Sequence, residues 1–348
     1  MNDISAKIEA LRRKLGGKCC IMGHHYQCDA IVAHCDFTGD SLELSRRVPH
    51  IEAPHIVFCG VYFMGESAAL LARDGQSVHL PEPDADCLMS AMIPQRLARS
   101  VLEQLARTGR KIIPLAYANT SLAVKALTGE YGGAVCTSAN AETMLDWSLR
   151  QGEAVIFMPD KNLGNNVANR LGIPESERHV LRIDGRGLLE PEQQPLHKKL
   201  LFWPGACSIH SRFRPEFVED ARAAHPGCSV IVHPECRQEV VALCEAAGST
   251  SFLIREAARV AASAPGSALV IGTEENLVYR LAARHRGQCD IFPLSRAICP
   301  EMAKVTEERL LETLQEVADG KAPALTVDER LFEPARLSLV RMLDVCGK

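Results

Sequence analysis

The sequence predicts an α/β protein made of three related units built on parallel sheets. Three observations carry this. Short apolar runs alternate with helical stretches along the whole chain, which is the βα alternation of parallel sheets. Four strand-end motifs recur three times in the same order, the signature of an internal repeat. The chain has 348 residues, 47% apolar and 24% charged, enough for two or three ordinary globular domains.

Taken in order, the strand candidates are CCIMG (19–23), HIVFCG (55–60), IIPLAY (112–117), AVIFMP (154–159), VIVH (230–233) and ALVIG (268–272). Helices are expected near 64–73, 120–127, 236–247 and 306–317, where small or polar residues open an apolar-periodic stretch. Residues 172–194 and 322–329 are rich in Pro and charge and read as surface linkers. The units are expected at 1–108, 109–222 and 223–348, the last carrying a C-terminal helical segment.

Each unit carries the same series. A strand ends in His or Tyr, as GHHYQ (23–27), YANTS (117–121) and HPEC (233–236). A hydroxyl-rich turn follows, as GDSL (39–42), TSAN (137–140) and GSTS (248–251). Next comes a strand with an acidic or polar turn, as MGES (64–67), PDKN (159–162) and GTEEN (272–276). Last, a strand runs into Cys87, Cys207 or Cys299. The step from His24, Tyr117 or His233 to Ser41, Ser138 or Thr250 is 17, 21 or 17 residues; the step to the cysteine is 63, 90 or 66. The middle copy is longer because it holds the 172–194 stretch and the turn at 128–133.

Several function classes are excluded at this level. A net charge of −4 without a basic run gives no nucleic-acid footprint. No stretch of about 18 uncharged apolar residues spans a membrane. The N-terminus lacks a signal-peptide core, so a cytoplasmic location is expected, where disulfides rarely persist. None of the fourteen cysteines pairs as C-x-x-C, so any metal site draws its ligands from distant parts of the chain.

Ligands of open parallel sheets bind beyond the carboxyl ends of the strands. If three units face a common axis, each contributes one cysteine, one hydroxyl and one His or Tyr. Cys87, Cys207 and Cys299 are thereby selected from the fourteen. Three thiolates without a repeated fourth partner suit a [4Fe–4S] cluster with one iron open; zinc held by Cys₃ with His210 or water is the competing metal. Ser41, Ser138 and Thr250 stand where strands turn into helices, whose N-termini bind carboxylate or phosphate, although helix capping alone would also place them there. His24, Tyr26, Tyr117, His233 and Glu235 are the acid–base candidates. Glu235 stands out because a carboxylate at a buried strand end is costly unless used or paired. His34, His50, His55, His79 and His285 fall outside the repeat and read as structural.

Together these motifs resemble the quinolinate synthase family, from GHHYQ at 23 to CPEM at 299. The blocks GDSLELSR (39–46), VYFMGES (61–67), YANTSLAVKA (117–126), IFMPDKNLG (156–164) and WPGAC (203–207) carry the likeness. The resemblance implies three αβα sandwich units around a pseudo-threefold axis with the active site at the centre. It implies condensation of iminoaspartate with dihydroxyacetone phosphate to quinolinate, in NAD biosynthesis, on one [4Fe–4S] cluster with an open iron. It places the cluster on Cys87, Cys207 and Cys299, and substrate on His24, Ser41, Tyr117, Asn119, Ser138, His233, Glu235 and Thr250, with Tyr26 nearby. The enzyme that makes iminoaspartate is the protein partner it suggests. Asp86 before Cys87, where the family usually has Ala-Gly, departs from the pattern and adds a charge beside the first cysteine. Two other readings stand beside it: a zinc-dependent lyase or hydrolase, and a non-catalytic sensor of a small anion or a cluster on the same fold.

Overall fold

A computed structural model describes residues 3–189, 196–263 and 266–347. It contains three sheets, each flanked by helices. The first holds β1 (Cys19–His24), β2 (Phe37–Gly39), β3 (His55–Cys59) and β4 (Ser77–His79). The second holds β5 (Ile112–Tyr117), β6 (Ala134–Cys136), β7 (Ala154–Met158), β8 (Arg178–Val180) and β9 (Leu200–Phe202). The third holds β10 (Ser229–Val232), β11 (Ala246–Ala247), β12 (Ala268–Gly272) and β13 (Asp290–Pro293). All ten strand pairings are parallel. Helices cover both faces of such sheets, which is why β5 and β7 read as near-continuous apolar runs and are almost wholly buried.

The strand order is the same three times: β2-β1-β3-β4, β6-β5-β7-β9 and β11-β10-β12-β13. The six strands anticipated from sequence are the two central strands of each sheet. Between them the strand order reverses, and a crevice opens at their carboxyl ends. Each motif of the repeat therefore has a place. The His or Tyr ends or follows the first strand, the hydroxyl turn follows the second and the cysteine the fourth. The acidic turn follows the third strand at PDKN and GTEEN, but MGES (64–67), expected as a turn, lies inside the helix Tyr62–Leu71, whose apolar and small residues carry the helix through it.

Two further expectations change. The 172–194 stretch is more than a linker: β8 adds a fifth, edge strand beside β9. Its half-buried Arg178 bonds the Asn169 side chain at 2.7 Å, and a charged, short edge strand resists pairing with other chains. Residues 190–194 of that expected linker lie outside the described residues. The helix expected at 236–247 is only Gln238–Val241, followed by β11. Its alanines favour helix, but sheet pairing prevails, with Glu245 N–H on Val230 O at 3.0 Å and Gly248 N–H on Val232 O at 3.1 Å.

The described chain forms two compact units. Met1–Cys87, Pro215–His233 and Cys244–Val327 carry the first and third sheets; Leu88–Arg214, Pro234–Leu243 and Asp328–Lys348 carry the second. In the first unit the stretch expected as a second linker runs along β4, with Leu325 N–H on Val78 O and His79 Nδ1 2.9 Å from Pro323 O. In the second unit the helix Glu329–Cys346 packs on the helix Leu122–Glu130 and on β6. Gly129 makes this possible, because a Cβ there would stand 1.9 Å from the Pro334 carbonyl oxygen. Fully buried Phe58, Phe157, Phe202 and Phe213 fill the cores, each contributing about 1.5–3 kcal/mol. No helix among the described residues is long and apolar enough to cross a membrane.

Candidate active site

In the second unit four ionisable side chains gather at the carboxyl ends of β7 and β9. Asp160, fully buried, caps the helix Lys161–Arg170 by accepting the Leu163 N–H at 2.8 Å. Its other oxygen accepts the N–H of Cys207 at 2.9 Å. Cys207 is half-buried. One turn further, His210 Nδ1 stands 2.5 Å from Glu235 Oε2, both side chains almost wholly buried. The donor atoms of Cys207, His210 and Glu235 all lie within 4.8 Å of one another. Burial, reinforced by the Glu235 charge, pushes the Asp160 carboxyl up to about 8 against its backbone hydrogen bonds. Raised carboxyls of this kind cluster at functional sites.

Glu235 is held by its own backbone. Asn162 donates to its carbonyl at 3.3 Å, and Asn166, one turn along the same helix, to the carbonyls of Pro234 at 2.8 Å and Cys236 at 2.7 Å. Tyr117 ends β5, buried, and its carbonyl accepts the Thr120 hydroxyl. The fully buried Lys125 ammonium donates to Thr120 O and ties down the turn that carries Asn119. Asn119 Oδ1 and Asn140 Nδ2 are buried without a hydrogen-bond partner among the described residues. An orphaned polar atom is expensive in a core and is commonly satisfied by a ligand or water. Ser138 is half-buried in the turn before the helix Ala141–Gln151.

The first unit carries the rest. His24 ends β1, buried, and its Nδ1 accepts the Tyr26 N–H at 3.1 Å. In the neutral ring this leaves the proton on Nε2, making it a donor. Tyr26 packs edge-on against His24 and shares a 2.6 Å hydrogen bond with Thr273. His233, buried, follows β10 and bonds Gly272 O through its N–H. Ser41 and Thr250 are the first residues of their helices. Neither is a cap: Asp40 caps the first helix in a full capping box with Glu43, and its second oxygen accepts the Ser251 hydroxyl at 2.8 Å. Cys87 and Cys299, both half-buried, pack against one apolar cluster that includes Ala85 and Met302.

Beneath these side chains lies a hydrogen-bond frame repeated three times. The first N–H of the helix after the third strand donates to the carbonyl two residues before the cysteine. The pairs are Tyr62 to Ala85 at 2.8 Å, Lys161 to Gly205 at 3.0 Å and Glu275 to Ala297 at 2.8 Å. Gly205 suits its place, since a Cβ there would meet Pro159 O at 2.7 Å. Each of the three expected cysteines thus occupies the same backbone position. A half-buried thiol at a repeated, preformed position fits a soft metal or cluster.

Sequence reasoning did not single out Asp160, Glu274, Asn140, Lys125 or Thr273. The signal for the two acids was available: each follows a third strand by two residues and immediately precedes a helix.

Parallel-sheet units with buried carboxylates, imidazoles and half-buried thiols at their strand ends define an α/β enzyme. The model of the family described as quinolinate synthetase A protein matches residues 6–344. Proteins named quinolinate synthase from Corynebacterium glutamicum and Streptomyces coelicolor are each 40% identical, over 99% and 98% of this chain and 88% of their own length. One from Acidobacterium capsulatum is 37% identical over 99% of this chain and 94% of its own. The chain belongs to the quinolinate synthase family.

Proposed function

We propose that the chain condenses iminoaspartate with dihydroxyacetone phosphate to quinolinate, releasing phosphate and two waters, as a step of de novo NAD biosynthesis in the cytoplasm. The observation that carries the chemistry is the buried Glu235–His210 pair beside Asp160. Ring formation needs loss of phosphate, tautomerisation and two losses of water, one of them in imine formation, so protons move repeatedly on one carbon skeleton. A carboxylate and an imidazole 2.5 Å apart and shielded from water can take and return a proton at Glu235.

In this reading Cys87, Cys207 and Cys299 hold a [4Fe–4S] cluster. When bound, the cluster would supply Lewis acidity through an open iron. Tyr117 donates to a developing oxyanion, while His24 Nε2–H and His233 polarise and orient the substrate, with Tyr26 supporting His24. Ser41, Ser138 and Thr250 hold carboxylates and phosphate with the N–H groups beside them. Asn119 Oδ1 offers its unused acceptor to a substrate N–H or O–H. The enzyme that makes iminoaspartate is the partner this reading adds.

A second reading has one supporting observation. Cys207, His210 and Glu235 are spaced for a single ion, and Cys, His and Glu are zinc ligands. Anaerobic purification with iron, sulfide and zinc analysis separates the two. The cluster reading expects about four irons, visible absorption and quinolinate formation. Single Cys→Ser changes at Cys87, Cys207 or Cys299 abolish that absorption, and at Cys136, Cys228, Cys244 or Cys289 they leave it. One zinc and no iron establishes the second reading. Absorption that survives Cys299→Ser but not Cys289→Ser overturns the ligand assignment.

A further inference from the structure

The threefold frame is complete in its backbone but unequal in its acids. In the second sheet Asp160 stands two residues past β7, caps the following helix with one oxygen and accepts Cys207 N–H with the other. In the third sheet Glu274 stands two residues past β12 and caps the helix Glu275–Arg284, accepting Asn276 N–H at 2.9 Å. It also accepts the backbone N–H of Cys299. Both carboxylates are wholly buried. In the first sheet the matching residue is Val61, which caps its helix with no side-chain bond. There the Cys87 N–H is taken instead by the adjacent, exposed Asp86, through Oδ1 at 2.8 Å.

We propose that Asp160 and Glu274 are positioning residues for the cluster-binding cysteines, and that Asp86 is the local substitute where the first repeat lacks the buried acid. This rests on the cluster reading given above. A carboxylate that bridges a helix cap and a cysteine amide fixes the cysteine turn to a rigid element, as supporting residues do for metal ligands. The bonds are strong because they are shielded from water. Asp86, bonded to its own neighbour at the surface, ties the Cys87 turn to nothing beyond itself. The Cys87 turn therefore depends least on its carboxylate.

The test compares Asp160→Asn, Glu274→Gln and Asp86→Ala with the parent. An amide keeps one acceptor oxygen, so helix cap and cysteine amide can no longer both be served. The first readout is the rate at which a strong ferrous chelator bleaches the anaerobic holoenzyme. Asp160→Asn and Glu274→Gln are expected to bleach at least about tenfold faster, and Asp86→Ala within about threefold of the parent. Asp328→Ala is the control: it removes the cap of the helix Glu329–Cys346 and is expected to lower the melting temperature without changing the bleaching rate. Asp160→Asn and Glu274→Gln proteins that bleach at the parent rate overturn the proposal, as does an equal acceleration by Asp328→Ala.

The second readout is amide hydrogen exchange at Cys207 and Cys299 in cluster-free protein, which needs no iron. Slow exchange in the parent, lost in the matching variant, is expected; unprotected amides in the parent overturn the clamp. A parent that never holds iron overturns the cluster reading itself, and the exchange data then decide the clamp alone. Should a variant fail to fold, Asp160→Glu and Glu274→Asp keep both acceptors and are expected to retain partial protection.

Discussion

Two of the molecule's carboxylate–imidazole pairs have opposite character. Glu43 and His25 stand 3.6 Å apart near the end of β2, with the Glu43 side chain 49% exposed. Glu235 and His210 stand 2.5 Å apart with both side chains at most 3% exposed. The first pair lies among donors: His25 and the Asp40 amide hold the Glu43 carboxyl down at about 2. The second lies beside Asp160, another buried acid, which desolvation and the Glu235 charge push up to about 8. The same two residue types thus form an exposed tie in one place and, in the other, the buried pair proposed above to handle protons. Burial and the neighbouring charge decide which.

The sharpest way to break this comparison is Glu235→Gln. If the buried pair moves protons, the amide keeps the shape and loses the base, and turnover falls by about 10²–10⁴-fold. Iron content and visible absorption stay as in the parent. Quinolinate formation within about threefold of the parent, with the cluster intact, would return Glu235 to the status of a packing group. Tyr117→Phe is expected to follow the same pattern.

A smaller effect is expected at the hydroxyls. Ser41 and Thr250 are the first residues of helices whose caps are supplied elsewhere; for Ser41 the cap is Asp40. Ser138 instead precedes its helix by a turn. Replacing any one by Ala removes a hydrogen bond to a charged group, about 1.5–3 kcal/mol, or roughly ten- to hundredfold in substrate binding. Substrate titrations of the three variants measure it. An unchanged dependence at Ser138 alone would separate the turn from the two helix starts and break the threefold reading of the anion sites.

The layout of strands was legible because each repeat places its motif at a strand end, where an apolar run stops at His24, Tyr117 or the residue before His233. β11 was not legible, since two alanines carry no strand signal and owe their conformation to β10. β8 was hidden by charge, which an edge strand tolerates and a linker shares. Within the site, Cys87, Cys207 and Cys299 could be chosen because spacing is a one-dimensional quantity. The bond between Asp160 and Cys207 could not, because 47 residues separate them and only the β7–β9 pairing brings them together. His210 could be named only as an optional metal ligand; its contact with Glu235 belongs to the tertiary structure.

The smallest expected effect tests the exposed pair. The Glu43 carboxyl is held at about 2, below the ordinary glutamate value of about 4.3. A carboxyl depressed by folding contributes stability that is fully present above its unfolded value and lost as pH falls through its folded value. The window therefore runs from about pH 4.5 down to about pH 2. Because half of the side chain meets solvent, the contribution is that of a screened surface pair, about 0.2–1 kcal/mol. Urea midpoints of parent and Glu43→Gln, taken from pH 6 to pH 3, should differ most at pH 6 and converge toward pH 3. Part of the difference at pH 6 also reflects the capping box, since Glu43 accepts the Asp40 N–H at 3.0 Å. An amide oxygen can keep that bond but not its charge, so the convergence rather than the offset reports the ionised pair. Parallel midpoints across the range would show that His25 and Glu43 are neighbours without electrostatic coupling, and the contrast with Glu235 and His210 would then rest on burial alone.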